Sequence, residues 1–401
     1  MGNLLSSLKL RASGFFLRDF RTVGWFYLLV LLVASLLQYF IHSKVGEGVS
    51  VFRYNNYIIF KQSFFHLIEG KDLYILYPSE HWDLYKYSPT FALFMAPMAI
   101  LPDYMGLILW NALNAGLLFY AIRNLPFRED KIKIIILWFI FQELLTSIQN
   151  SQSNALMAAL LILSFNSFEN RNVMMASLFI VLGVYIKIFA VVGAALFLLY
   201  PQKLAFIGYC AMWFALLLVV PLLVNSPDQL IVQYRSWWRM LSEDLSISDG
   251  LSVMGWLKTW FGIAWSKNLV VLTGVILFCL PYARIKLYQD LTFRLLFLSS
   301  VLIWIVIFNH KAESPTFVIA MCGVGIWHFT QQKSIINWIL VILAFVFTSL
   351  SPTDIFPSYV SQHWVKPYVL KAVFCIFIWF KIIYELVAKK YAPAVTSNQD
   401  R

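Results

Sequence analysis

Apolar runs about as long as a bilayer is thick recur along this chain, and they limit its possible folds more than any other feature. The first is "VGWFYLLVLLVASLLQYFIH" at 23–42, and a spanning helix needs about 20 such residues. The 401 residues are 60% hydrophobic and only 13% charged, whereas soluble domains carry about 25% charged residues. The runs lack the apolar–polar alternation of barrel strands. The sequence therefore predicts an all-α polytopic membrane protein.

We predict about twelve transmembrane helices in one integral-membrane domain over 1–401. The apolar stretch 173–200 is too long for one span and contains a lone cation, Lys187, so we divide it into two short helices that turn near Lys187 on the outer side. The predicted spans are roughly 23–42, 103–122, 132–148, 153–167, 173–187, 188–200, 204–224, 268–284, 291–308, 315–330, 335–350 and 367–387.

Positive charge predicts the orientation, because cytoplasmic loops collect lysine and arginine. With the N-terminus inside, the cytoplasmic side gains Lys9, Arg11, Arg18, Arg21, Arg123, Arg128, Lys131, Lys133, Arg171, Lys203, Arg284, Lys286, Lys333, Lys389 and Lys390. Both termini are then cytoplasmic, and we predict a multi-pass protein of the plasma (bacterial inner) membrane. The net charge of +11 is spread over many short loops, which indicates a topology signal and no nucleic-acid partner.

Two large loops lie on the predicted outer face, at about 43–102 and 225–267. The segment "SPTFALFMAPMAILP" (88–102) ends the first loop and is too short for a span. If it spanned, the basic loop 123–133 would lie outside, so we interpret it as a helix along the outer interface. Polar chemistry is concentrated on this face, which predicts a site that faces the periplasm or cell exterior.

The first loop contains an early concentration of polar residues. Apolar positions from Ile58 to Ile68 predict an amphipathic helix that lies in the interface and ends near Gly70. A membrane-surface packing element is one interpretation. The second is a carbohydrate site, because aromatic rings stack on sugars and carboxylates accept hydroxyl protons. The charged and amide residues of this loop are Arg53, Asn55, Asn56, Asp72, Glu80 and Asp83.

Lys187 is the clearest single candidate for a functional residue outside this loop. A cation within an apolar stretch is costly unless it meets an anion or a polar cavity. It is therefore either a counter-charge for a lipid phosphate or a side chain that snorkels to the interface. His310 and Lys311, with Glu313 beside them, form a second cluster that either binds a phosphate or is an ordinary charged loop.

Glu143 lies within the third predicted span and faces either the bundle interior or a polar cavity. Its role is either a helix–helix hydrogen bond or catalysis. The amides Gln149, Asn150, Gln152 and Asn154 either cap helix ends or bind sugar hydroxyls. The four cysteines fall inside predicted spans and have no metal-binding spacing, and no dinucleotide or Walker-type loop occurs. We therefore predict no metal and no cofactor.

Several motifs occur in an order that resembles glycosyltransferase family 87, of the GT-C class. They are "GKDLY", "YKYSPTFALFMAPMAILP", "IQNSQSNALMAALLIL", "GVYIKIFAVVGAALFLL" and "SDGLSVMGWL". The resemblance implies a GT-C fold with juxtamembrane helices in the first outer loop and a polyprenyl-phosphate sugar donor, often mannose. It also implies a catalytic Asp or Glu in that loop and a basic residue, here Lys187, that meets the lipid phosphate. Family members often have an acid where this chain has Asn56, and an amide cannot take a proton as a carboxylate can.

We therefore predict transfer of a hexose from a polyprenyl-phosphate donor to a glycan or glycolipid acceptor, next to membrane lipids. A lipid or lipid-linked sugar transporter (flippase) and a non-catalytic glycolipid-binding subunit are the alternatives. The predicted residues are Asp83, Asp72 and Glu80 for catalysis; Lys187, His310 and Lys311 for the donor phosphate; and Arg53, Asn55, Asn56, Glu143, Asn150, Asn154 and Glu313 for sugar or acceptor.

Overall fold

The computed structural model describes residues 19–41, 45–46, 49–50, 52–243, 249–332 and 334–388. The regular structure of these residues is almost entirely helical, as predicted. The helices are α1 (Phe20–Phe40), α2 (Asn55–Ile68), α3 (Pro89–Phe94), α4 (Ala96–Ala99), α5 (Asp103–Arg123), α6 (Asp130–Gln149), α7 (Asn154–Glu169), α8 (Val173–Ile186), α9 (Lys203–Val219), α10 (Pro227–Glu243), α11 (Val253–Phe261), α12 (Lys267–Cys279), α13 (Leu291–Ile307), α14 (Phe317–Thr330), α15 (Ile335–Ala344) and α16 (Leu370–Ala388).

Shorter or tighter elements complete this part of the chain. They are the 3₁₀ segments Ile188–Leu199, Val220–Leu223, Leu280–Ala283, Ile285–Leu287 and Ser314–Thr316, the π segments Phe345–Leu350 and Ser361–Val365, and the helical turn Ser358–Val360. Two short strands, β1 (Val45–Gly46) and β2 (Val49–Ser50), pair antiparallel, with Val45 opposite Ser50. Of the basic residues used to predict the orientation, Lys9, Arg11, Arg18, Lys333, Lys389 and Lys390 lie outside the described residues.

The chain divides into two compact units. The first comprises 1–194 and 204–248, and the second comprises 195–203 and 249–401. A single integral-membrane domain over 1–401 stays a prediction.

Four described segments are long and apolar enough to cross a membrane: Phe20–Phe40, Asp103–Arg123, Asp130–Gln149 and Lys203–Leu223. Shorter apolar helices occupy seven further predicted spans. In the segment Lys203–Leu223 only 17% of the most apolar window is buried, so a large apolar surface needs a covering such as lipid. These features identify a membrane protein, whereas the count of twelve spans and the GT-C fold stay predictions.

Buried amides join helices in the first unit. Asn111 Nδ2 on α5 donates to Ser35 Oγ on α1 at 2.9 Å, and Asn114 Oδ1 accepts from the backbone N–H of Leu156 on α7 at 3.0 Å. Apolar helices that pack without water rely on such contacts to satisfy their polar groups. The packing of α1, α5 and α7 is therefore specified by hydrogen bonds as well as by shape.

The second unit uses indole donors in the same way. Trp379 Nε1 on α16 donates to Ser300 Oγ on α13 at 3.0 Å. Trp327 Nε1 on α14 donates to Glu385 Oε2 at 3.0 Å, and Glu385 Oε1 lies 3.0 Å from Lys381 Nζ on the same helix. The buried carboxylate is thereby held by two partners, which is what makes its burial tolerable.

The helix predicted in the first loop is α2, and it ends where the sequence indicates. Gly70 follows it with φ of +69°, a left-handed conformation that favours glycine at a helix end. Tyr57 OH donates to Met98 O at 3.1 Å, and Lys61 Nζ lies 2.5 Å from Asp103 Oδ1. These contacts hold α2 against α4 and the start of α5.

The segment 88–102 forms two short helices, α3 and α4, instead of the single helix that we predicted. Ser88 caps α3 by accepting the N–H of Phe91 at 3.1 Å. Pro97 has no N–H to donate to the Leu93 carbonyl, so the α3 ladder stops, and Pro97 is the second residue of the new helix α4, where a missing N–H is tolerated. The interfacial location of this segment stays a prediction.

The second large loop contains the helices α10 and α11, which we did not predict from the sequence. A helical period is nevertheless present, because Leu230, Tyr234, Trp237 and Met240 are spaced by three or four residues. The mean hydropathy of the α10 segment is too low for a spanning helix, so apolar length alone does not reveal this helix. Helix α10 is therefore an amphipathic helix, and its apolar face packs against the rest of the first unit.

Candidate active site

A break between helices positions Lys187. Helix α8 ends at Ile186, and the Lys187 backbone is extended, with φ of −140° and ψ of 118°. The 3₁₀ segment Ile188–Leu199 then begins. A Cβ atom at Gly183 would lie 2.8 Å from the Ala190 Cβ, so this glycine allows the new segment to approach α8. The predicted division of the apolar stretch near Lys187 is confirmed.

An amide and two aromatic rings surround the Lys187 ammonium. Its Nζ donates to Asn154 Oδ1 at 2.6 Å. The same nitrogen lies 5.9 Å from the ring centroids of both Tyr87 and Phe189, within the range of a cation–π interaction. The half-buried cation is thus held at the helix break. Neither ring is among the predicted site residues, although Tyr87 lies inside the motif "YKYSPTFALFMAPMAILP" and Phe189 inside "GVYIKIFAVVGAALFLL".

The connection between α6 and α7 links this lysine to the first loop. Asn154 Nδ2 donates to Gln152 Oε1 at 2.6 Å, and the carbonyl of Asn150 accepts from Asn56 Nδ2 at 2.8 Å. The structure therefore brings together Asn56, Asn150, Asn154 and Lys187, four of the predicted site residues. We name the segment 150–154 the amide connection.

Two of the three predicted catalytic carboxylates have well-defined contacts in the first unit. Asp72 accepts from the Tyr74 N–H through Oδ1 at 2.9 Å and from Ser236 Oγ through Oδ2 at 2.9 Å. Asp83 Oδ1 lies 3.4 Å from Lys86 Nζ. Both Asp72 and Lys86 line a cavity of about 430 Å³, which we name the polar cleft.

Glu80, the third carboxylate, faces a buried imidazole. Its Oε2 lies 2.9 Å from His66 Nε2, and the His66 ring lies against Tyr77 with centroids 3.9 Å apart. Burial lowers the pKa of His66, against the smaller opposing effect of Glu80. Burial also lowers the pKa of the neighbouring His81. The loop therefore contains two histidines that the fold favours in the neutral form.

These histidines predict acid sensitivity of the fold. In the folded chain the pKa values of both histidines lie below the ordinary value of 6.5. The unfolded chain therefore binds more protons than the folded chain as the pH falls through 6.5. The free energy of unfolding then decreases with acid. We expect the melting temperature to fall from about pH 7.5 to about pH 5.5, and less steeply in a His66→Gln, His81→Gln double variant.

The control for this prediction is His363→Gln, because His363 is exposed and its removal should leave the pH dependence of melting unchanged. A double variant that melts with the same pH dependence as the parent chain would contradict the assignment to His66 and His81.

The remaining predicted residues of the first unit differ in exposure. Arg53 is exposed, whereas Asn55 is buried and accepts the Trp82 N–H at 3.3 Å through Oδ1. Glu143 is fully buried within α6. Asn55 and Glu143 thus lie in packed surroundings, and their roles toward a sugar or acceptor stay predictions.

The second unit holds His310, Lys311 and Glu313 in the turn after α13. The Lys311 N–H donates to Asn309 Oδ1 at 3.0 Å. Glu313 caps the following 3₁₀ turn in a reciprocal arrangement with Thr316. Both contacts stabilise the turn, and binding of a phosphate by His310 and Lys311 stays a prediction.

Gly250, from the motif "SDGLSVMGWL", packs directly on this turn. Its φ is +53°, and a Cβ there would lie 2.3 Å from the His310 carbonyl oxygen. The next residue, Leu251, donates its N–H to Ala312 O at 3.3 Å. The motif therefore needs glycine for both conformation and close approach, and it supports the His310 turn.

These features define a helical membrane protein with a half-buried cation, a set of amides, one of which contacts that cation, and a first loop that contains carboxylates. Residues 85–308, more than half of the chain, match the sequence model of glycosyltransferase family 87. The chain belongs to glycosyltransferase family 87, which implies a membrane glycosyltransferase with a donor and an acceptor substrate. No curated protein matches the chain. The matched region includes Lys187 and the amide connection, and it begins just after Asp83.

Proposed function

We propose that this protein transfers mannose or another hexose from a polyprenyl-phosphate donor to a glycan or glycolipid acceptor on the outer face of the membrane. The proposal rests mainly on the Lys187 ammonium at the helix break and its link, through the amide connection, to Asn56. Asn56 occupies the position where the family resemblance implies an acid. The proposed phosphate-binding cation, Lys187, is thus connected through the segment 150–154 to the first loop, which we propose binds the sugar.

The proposed reaction is a single displacement at the anomeric carbon. The acceptor hydroxyl oxygen forms a bond to that carbon while the bond from carbon to phosphate oxygen breaks, with inversion. The electron pair of the broken bond stays on the polyprenyl phosphate, whose charge Lys187 stabilises. The hydroxyl proton passes to a carboxylate of the first loop. His310 or Lys311 is the proposed second phosphate contact.

We favour Asp83 as the proton acceptor over Asp72 and Glu80. Among the described residues, the contacts of Asp83 use Oδ1. Both oxygens of Asp72 accept hydrogen bonds, and Glu80 faces His66. Asp83 is also 43% exposed, so its second oxygen is the one best placed to take a proton from a substrate.

The remaining predicted residues are assigned to the sugar or acceptor. Asn150 and Arg53 are exposed and Asn56 is half-buried, which suits direct contact with hydroxyls. Asn154 contacts Lys187 and is proposed to orient it as well. Asn55, Glu143 and Glu313 complete the proposed set, with Glu313 on the His310 turn.

Purified protein incubated with labelled polyprenyl-phosphate sugars and candidate acceptors tests this function. Transfer of label to an acceptor, with release of polyprenyl phosphate, is the expected result. Movement of the labelled lipid across a vesicle membrane without turnover would instead indicate a transporter. Binding with neither turnover nor movement would indicate a non-catalytic subunit.

The outer location of the first loop is a separate prediction, because it rests on the distribution of positive charge. We expect single cysteines at Asp83 and Ser242 to react with an impermeant thiol reagent added to intact cells, and one at Arg128 not to react. All three positions are at least partly exposed in the fold, so sidedness decides the result.

The parent chain is the control for background labelling, because Cys210, Cys279, Cys322 and Cys375 are free thiols and Cys279 is exposed. External labelling at the Arg128 position would overturn the proposed topology.

A further inference from the structure

An open apolar groove lies where α10 folds back on the end of α9. Its volume is about 840 Å³, and its walls include Leu218 and Leu222 on one side and Ile231 and Trp238 on the other. The Trp238 side chain is 74% exposed and Ile231 is 49% exposed. Exposed apolar side chains on an amphipathic helix of a membrane protein are typical of contact with lipid chains.

Two arginines line the same groove. Arg235 and Arg239 are four residues apart on α10 and therefore lie on one face. In the described part of the chain, no carboxylate forms an ion pair with either guanidinium. Guanidinium groups present forked donors that match the oxygens of a phosphate. An apolar groove with this charge is complementary to a lipid whose headgroup is anionic.

Arg239 also lines the polar cleft, so the groove and the cleft adjoin at this residue. The cleft offers a further cation, Lys86, with the carboxylates of Asp72 and Glu243 as acceptors and the hydroxyl of Ser236. The Asp72 carboxylate would repel a second phosphate and would accept hydrogen bonds from hydroxyl groups. This combination favours a headgroup that carries one phosphate and free hydroxyls.

Lys187 lines neither the groove nor the polar cleft, and different residues of the segment 86–90 contact α10 and Lys187. Trp237 Nε1 on α10 donates to the Lys86 carbonyl at 3.3 Å, and Tyr234 OH lies 3.1 Å from Thr90 Oγ1. Within the same segment, the Tyr87 ring faces Lys187. A phosphate at Arg235 and Arg239 would therefore be a second phosphate, separate from one at Lys187.

We propose that the α10 groove binds one anionic glycerophospholipid of the surrounding bilayer. An acyl chain lies along the apolar walls, the phosphate lies between Arg235 and Arg239, and the headgroup hydroxyls enter the polar cleft beside Asp72 and Ser236. The lipid is a bound component of the membrane and not a substrate, so the proposal is independent of glycosyl transfer.

The test measures retained lipid by native mass spectrometry, with phosphatidylglycerol titrated into purified full-length protein in a neutral detergent. We expect R235Q/R239Q to weaken phosphatidylglycerol binding by about tenfold or more, because it removes charged hydrogen-bond donors. R128Q/K131Q is the matched control, since it removes two exposed basic residues elsewhere, and it should bind like the parent chain. W238A, which keeps both arginines, should bind more weakly than the parent chain.

Three results would overturn the proposal. They are equal binding of phosphatidylcholine and phosphatidylglycerol, an equal loss in the control variant, and displacement of the lipid by inorganic phosphate or by polyprenyl phosphate at matched concentration. Displacement by inorganic phosphate would indicate a simple anion site, and displacement by polyprenyl phosphate alone would assign the groove to a substrate lipid. Melting temperatures in neutral detergent establish that each variant is folded before its binding is compared.

Discussion

Replacing Asp83 with asparagine should lower the rate of sugar transfer by roughly 10²–10⁴-fold, the usual loss when a general base is removed. The amide keeps the size of the side chain and removes its basicity. Its oxygen can still accept the Leu84 N–H that Asp83 Oδ1 accepts at 2.8 Å, so the loop should keep its conformation. Single-turnover release of polyprenyl phosphate from labelled donor measures the rate, and donor binding should change little.

Parallel variants test the assignment of the base. Asp72→Asn and Glu80→Gln should retain most activity if Asp83 is the base. Glu69→Gln is the matched control, because Glu69 belongs to the same loop, is about half exposed and pairs with Lys71 at 2.7 Å. If all three amide variants of the predicted carboxylates transfer sugar at the parental rate, the base lies elsewhere, and Glu143 and Glu313 are the next candidates.

Replacing Lys187 with methionine should weaken use of the donor by on the order of tenfold or more, since a hydrogen bond to a charged group contributes about 1.5–3 kcal/mol. Methionine keeps much of the apolar stem between Tyr87 and Phe189, so the helix break should persist. Donor affinity, measured with a non-reacting polyprenyl phosphate, is the direct readout. The sugar acceptor should bind as before.

Lys203→Met provides the comparison for this variant, because Lys203 is an exposed lysine at the start of α9. A double-mutant cycle with Asn154→Ala should reveal coupling between the two positions, as expected for residues in direct contact. Parental donor affinity in Lys187→Met would favour the alternative interpretation, in which the lysine snorkels to the interface.

Local signals predicted the elements around the site well. The end of α2 just before Gly70 and the break at Lys187 follow from single residues whose chemistry does not suit a continuing apolar helix. We did not predict the helices α10 and α11, because the length of an apolar run does not reveal a helix with one polar face. The division of α3 from α4 just before Pro97 was also missed, although a proline inside a short helical segment predicts such a break.

Contacts between residues that are distant along the chain could not be predicted from the sequence. Asn56 and Asn150 are 94 positions apart, and Lys187 and Asn154 are 33 positions apart. Each residue was a candidate by its type and location, but no periodicity indicates that they meet. The same is true of Tyr87 and Phe189, because aromatic residues are common in this chain and only the fold selects the pair that faces Lys187.

The hydrogen bond from Asn56 to the Asn150 carbonyl restricts how this protein can evolve. An aspartate at position 56 would place a carboxylate oxygen where Nδ2 now lies 2.8 Å from a carbonyl oxygen, and two acceptors at that distance repel each other. This hydrogen bond lies in exposed surroundings, so its loss costs about 0.5–1.5 kcal/mol, against a total stability of about 5–15 kcal/mol for most proteins. A single mutation of Asn56 to aspartate therefore removes this hydrogen bond between the first loop and the end of α6 at the same step that introduces a carboxylate. Selection for activity would favour paths on which the end of α6 changes first.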